Sequence, residues 1–96
     1  MVTSANNTYQ LPDRISFGHI AQLYDSFHSM MQHDPVVFDL TRTKEVHAAF
    51  VGFLIYLKTE KEKRNGSVRL IISPTVEQIL NTLQLDDYFG QNLRSA

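Results

Sequence analysis

The sequence predicts an α/β domain with a mostly parallel sheet of about four strands, a β-α-β-α-β-α order, and helices packed on the sheet. Three observations carry this. Val36 to Leu40 and Val68 to Ile72 are short runs that are apolar almost throughout, as expected for strands in the middle of a covered parallel sheet. Between them lies one long helical stretch, Val46 to Arg64. A helix linking two such strands implies parallel pairing and a right-handed crossover. Ahead of the first of these strands, Ile20, Leu23, Tyr24, Phe27, Met30 and Met31 recur at helical spacing and form one buried face.

Taken in order, Met1 to Asn7 is polar and reads as a frayed end. Thr8 to Leu11 is a short strand stopped by Pro12-Asp13. Ser16 suits the cap of the first helix, since its hydroxyl can accept an orphan backbone N–H. His33-Asp34-Pro35 ends that helix. After the strand Val36 to Leu40 comes a polar loop, Thr41 to Glu45, then the second helix. Asn65-Gly66 closes it, with Gly66 suited to a left-handed C-terminal position. Ser73-Pro74 opens a third helix, with serine as cap and proline as first helical residue; its inner face is Val76, Ile79, Leu80 and Leu83. Asp86-Asp87-Tyr88-Phe89 begins a short last turn or helix.

A length of 96 residues suits one compact domain. The hydrophobic share of 43% supports a core, and a net charge of −1 offers nothing to draw nucleic acid or an anionic membrane. Cysteine is absent, so disulfides, thiolate metal sites and cysteine nucleophiles drop out. Met1 to Gln10 has neither the basic start nor the apolar run of a signal peptide. The longest apolar run, Ala48 to Leu57, is about half the ~20 residues of a membrane span. The expectation is a soluble, cytoplasmic protein without membrane insertion.

Enzyme chemistry finds no foothold. His19, His28, His33 and His47 lack metal-binding spacing, so no metal or cofactor is expected. Asp39, at the end of its strand, reads as a partner for backbone donors, and Asp86-Asp87 as a helix-start pair. The four glycines are isolated and make no phosphate loop.

With the elements placed, the chain resembles a STAS domain, the fold of bacterial anti-sigma factor antagonists. Leu11-Pro12-Asp13-Arg14-Ile15 is similar to the family's L-x-G-x-L-D lead-in to its first helix. Val36 to Leu54 resembles its strand–loop–helix with V-V-L-D-L-S and D-S-S/T-G-L-G. Gly66 to Phe89 is the best match, with Ser73-Pro74-Thr75-Val76, Leu80, Leu85 and Phe89 in step. There are two departures. The family usually begins with a pair of strands, and this chain has room for about one. The family's Asp-Ser-Ser/Thr-Gly reads here as His47-Ala48-Ala49-Phe50.

The resemblance implies that a partner kinase would phosphorylate the position now held by Ala48, with Ala49 beside it. Alanine has no oxygen to accept phosphate, so the switch chemistry is removed there. On a helical wheel, Val46, Phe50, Phe53, Leu54 and Leu57 form the core face of the second helix, while Ala48, Val51, Gly52 and Ile55 form an apolar second face. Either the last helix covers that face or it is an exposed patch for a partner. The expected partner-binding surface is Thr41, Arg42, Thr43, His47, Ala48, Val51, Gly52 and Ile55. The implied function is non-enzymatic regulation of a protein partner, such as a GHKL-type serine kinase/anti-sigma factor. A small structural subunit docking on the ATPase of a bacterial lipid-transport complex is the alternative, and a homodimer through the second face or a sheet edge is a third reading.

Overall fold

The computed structural model describes residues 3–5 and 8–95, and the side chains of 8–90 and 92–94. Its elements are β1 (Thr3–Ala5), β2 (Thr8–Gln10), β3 (Arg14–Ile15), α1 (Phe17–Asp25), α2 (Phe27–Gln32), β4 (Val36–Leu40), β5 (Glu45–Val46), α3 (Ala48–Lys63), β6 (Val68–Ile72), α4 (Pro74–Thr82), a 3-10 turn (Gly90–Asn92) and β7 (Leu93–Ser95). The main sheet has the order β1-β2-β4-β6-β7. β2, β4, β6 and β7 run parallel, and β1 pairs antiparallel with β2 on the outer edge. The four-stranded parallel sheet is therefore present, with one strand added. That strand, Thr3–Ala5, falls in the segment read as a frayed end, so the chain holds the initial strand pair for which its sequence seemed too short. The rest of that segment, residues 1, 2, 6 and 7, lies outside the described residues.

Chain order and sheet order advance together, so right-handed crossovers place every helix on one face. Burial agrees. Val36, Phe38 and Leu40 of β4 and Val68, Leu70 and Ile72 of β6 are buried, while Val37, Asp39 and Ile71 are half-buried and Arg69 is exposed. The covered parallel sheet read from the sequence is thus covered by helices on one face. The apolar character of Val37 and Ile71 had hidden the alternation. Phe38 anchors the core, edge-on to Phe50 and Phe53 at ring separations of 6.3 and 6.4 Å.

Three helix boundaries differ from the sequence reading. The expected first helix is two, α1 and α2, divided at Ser26, whose N–H is shared between the carbonyls of Gln22 and Leu23 at 3.1 Å each. Of the expected inner face, Ile20, Leu23 and Met30 are buried and Phe27 and Met31 half-buried. Tyr24 is half exposed with its ring edge-on to Phe53 at 4.9 Å, and so leaves the buried face assigned to it. The second helix begins at Ala48 and not at Val46, because Glu45–Val46 pairs with Arg14–Ile15 as a small parallel ribbon. Asp13 O fixes that ribbon by accepting the N–H groups of Lys44 (2.7 Å) and Glu45 (3.0 Å). At the far end, the left-handed residue is Asn65 (φ 59°), and no described glycine has positive φ. Gly66 answers a different need. A Cβ there would lie 2.9 Å from Lys61 Cε and 3.0 Å from Asp34 Oδ1.

The third helix starts as expected, with Ser73 Oγ accepting the N–H of Val76 at 3.3 Å and Pro74 as its first residue. It stops at Thr82, and Leu83 is half exposed, so this residue leaves the inner face assigned to it. Gln84 then takes a left-handed conformation (φ 59°) and turns the chain back, the N–H of Leu85 reaching Leu80 O at 2.8 Å. The segment after Asp86 forms turns that bury Phe89, followed by the unforeseen strand β7. Asn92 locks this ending by donating from its side-chain amide to Val68 O at 2.6 Å.

Candidate functional site

The loop after β4 and the first turn of α3 meet at the C-terminal end of the central strand of the sheet. Val37, Phe38 and Asp39 sit in register with both neighbouring strands, so the loop leaves a rigid base. Asp39 Oδ1 accepts the N–H of Thr41 (3.0 Å) and its hydroxyl (2.6 Å), folding the loop back on itself. Burial raises the pKa of Asp39, but the hydrogen bonds from Thr41 and Gln10 outweigh it and hold the carboxyl below the usual carboxylate range. Asp39 thus serves backbone and loop, as its place at the strand end suggested.

The expected site residues divide. Thr43 is fully buried, and its hydroxyl donates to Pro12 O at 2.8 Å, so it ties the loop to the β2–β3 connection and presents nothing to a partner. Thr41 is half-buried and Arg42 exposed. His47 is the N-cap of α3, with Nδ1 accepting the N–H of Ala49 at 3.0 Å. Its ring also packs on Phe17, centroid to centroid 4.1 Å, while Phe17 stays two-thirds exposed. Ala48 is exposed. Ala49 is half-buried against the core.

On the second face of α3, Val51 and Ile55 are half-buried and Gly52 is exposed. A Cβ on Gly52 would meet no atom within 4 Å. Helix α4 therefore flanks this face without closing it. Between the two helices runs an open groove of about 420 Å³, with Val46, Ala48 and Val51 on one side, Ile79 and Leu83 on the other, and Lys44 contributing its lining charge. The floor is sealed. The apolar space beneath, among Phe50, Leu54, Leu70 and Val76, is only about 10 Å³, the size of one water probe.

Lys44 lies in the loop Thr41 to Glu45, which the sequence reading included in the binding surface, whereas Val46, Leu83 and Phe17 were not among the expected site residues. Leu83 follows the helical period that put it inside, but α4 ends one residue earlier. Phe17 carried no such signal, since it stands three residues before Ile20 and seven before Tyr24 and continues the apolar period, yet it is two-thirds exposed. Among the described residues, no group of three His, Cys, Asp or Glu side chains could hold a metal ion, and no helix is long and apolar enough to cross a membrane.

The strand order, the groove beside α3 and the late strand β7 can be set beside known structures. The phosphorylated form of the Bacillus cell-fate determinant SpoIIAA superposes with a TM-score of 0.71 at 16% identity, covering 100% of this chain and 89% of that one. An anti-sigma-factor antagonist (STAS) domain protein from Planctomyces limnophilus gives 0.67 at 20% identity, covering 100% and 86%. The fold is that of a STAS domain. No protein-family model and no curated protein matches the chain, so this likeness is one of fold. It agrees with the residue resemblance from Leu11 to Phe89, and in this structure the start of α3 lies beside the open groove.

Proposed function

We propose that this STAS domain is a non-enzymatic interaction module of the anti-sigma factor antagonist type, which regulates a protein partner by binding and lacks the usual phosphoacceptor. One observation carries the reading. Ala48, at the position matching the family's phosphorylated residue, is the exposed first residue of α3 and lines the groove. A phosphate there would sit at the positive end of the helix dipole and add roughly −2 charge. With alanine in its place, the docking surface keeps one charge state. The engagement of the Thr41 hydroxyl by Asp39 and the burial of that of Thr43 on Pro12 O support the reading that neither loop threonine takes its place.

The partner would be a GHKL-type serine kinase/anti-sigma factor, met by Arg42, His47, Ala48, Val51, Gly52 and Ile55. Incubation with such a kinase from the same cell and labelled ATP should leave the wild-type chain unlabelled, while Ala48→Ser takes up label. Strong wild-type labelling, at Thr41 or elsewhere, would overturn the unswitched reading.

A further inference from the structure

The chemistry of what docks beside α3 can be narrowed further, resting on the reading of that surface as a docking site. We propose that the groove between the start of α3 and helix α4 receives an acidic amphipathic segment of a protein partner: apolar side chains against Val51, Ile79 and Leu83, and carboxylates against Lys44 and Arg42. The sealed floor excludes a ligand that must be swallowed, so the occupant lies along the surface. The walls are mostly apolar, with Thr75, Gln78 and Thr82 of α4 as polar lining. Such a trough suits an amphipathic segment.

Charge decides the rest. Arg14, Lys58, Lys61 and Lys63 are each paired with a carboxylate: Glu45, Glu62, Asp34 and Glu60. Arg42 and Lys44 are exposed and make no ion pair among the described residues. Of the acids near them, Asp39 is engaged by Thr41, Glu45 is held by Arg14 at 2.5 Å and Asp13 is exposed. None of the three lines the groove, where Lys44 is the one charged residue. The first turn of α3 carries no acid to offset its dipole. Glu77, in the first turn of α4, does not line the groove. The groove lining therefore carries a single charge, the positive one of Lys44, on a chain of net charge −1, which complements a negative partner.

The test uses the intact chain and two synthetic helical peptides with the same leucine stripe, one flanked by glutamates and one by lysines. Binding is followed by ¹⁵N–¹H NMR titration. The glutamate peptide should shift the amides of Lys44, Ala48, Val51 and Ile79, should bind at least about tenfold tighter than the lysine peptide, and should lose that advantage in Lys44→Glu. Leu83→Ser should weaken both peptides while leaving the rest of the spectrum unchanged. Equal or reversed peptide preference with shifts still in the groove would overturn the acidic partner and leave the docking surface standing. Absence of binding at millimolar peptide, or shifts elsewhere, would overturn both. Groove shifts on simple concentration of the free protein would assign the groove to a second copy of the chain and overturn the proposal.

Discussion

Lys61 Nζ lies 3.4 Å from Asp34 Oδ1, with the lysine side chain 3% exposed and the aspartate 51%. The buried ammonium also donates to the carbonyls of Met30 (3.3 Å) and His33. One lysine from α3 thus ties down the end of α2 and the connection into β4, and Gly66 leaves room for it. Lys61→Ala should destabilise the domain by about 3 kcal/mol, combining lost packing of the buried stem with the loss of its bonds to the Met30 and His33 carbonyls and to Asp34. Urea denaturation measures this. A loss of only a few tenths would mean the carbonyls find water instead.

Asp34 Oδ1 accepts the N–H of Ser67 at 2.6 Å. That bond, followed by the Lys61 interaction, holds its carboxyl below the ordinary value of 3.8 despite some desolvation. The group ionises more readily folded than unfolded, so its contribution is complete above 3.8 and is lost as pH falls through the lower folded value. The unfolded chain binds more protons across that window, and stability must rise with pH there. Asp39 acts in the same direction. In thermal melts, wild type should exceed Asp34→Asn at pH 7, and the gap should narrow by pH 3. A constant gap would show that the carboxylate's charge is unimportant.

Thr43 separates structure from binding inside one loop. Its buried hydroxyl donates to Pro12 O, and its N–H to Leu40 O at 3.1 Å. Thr43→Val keeps the volume and orphans the proline carbonyl, so stability should fall by about 1–2 kcal/mol. Affinity for a partner docked beside α3 should change little. A large affinity loss in a still-folded variant would restore Thr43 to the interface.

These residues show where sequence reasoning reached and where it stopped. β4 and β6 were legible as short, nearly continuous apolar runs and α3 and α4 from the spacing of their core residues, and Ser73-Pro74 marks its helix start by local chemistry. β1 and β7 were not. Thr3–Ala5 and Leu93–Ser95 are three residues each, and pairing with β2 and β6 makes them strands. The break at Ser26 leaves the apolar period intact and so gave no warning. In the site, Ala48 and Gly52 were readable from the helical wheel. Val46 and Leu83 were not, because a groove between α3 and α4 exists only once two elements distant in sequence are packed together.

His47 holds the start of α3 through an imidazole nitrogen in place of the usual carboxylate or hydroxyl. His47→Ala should cost about 1 kcal/mol for the lost cap, with a further few tenths from the contact with Phe17. His47→Asn should recover the cap but not the ring contact. Chemical denaturation of both variants checks the order: wild type most stable, asparagine next, alanine least.

Gly52 separates stability from docking most cleanly. It lies inside α3 with open space where a Cβ would go, so it carries the backbone cost of glycine without packing that requires it. Gly52→Ala should therefore stabilise the helix by about 1 kcal/mol. Gly52→Arg should be tolerated in the fold for the same reason, while projecting a bulky cation from the face that Ala48, Val51 and Ile55 share. Recovery of the native partner should survive the first substitution and fail with the second, at matched thermal stability. Unchanged recovery with arginine would move the interface away from this helix, whatever the groove beside it can bind.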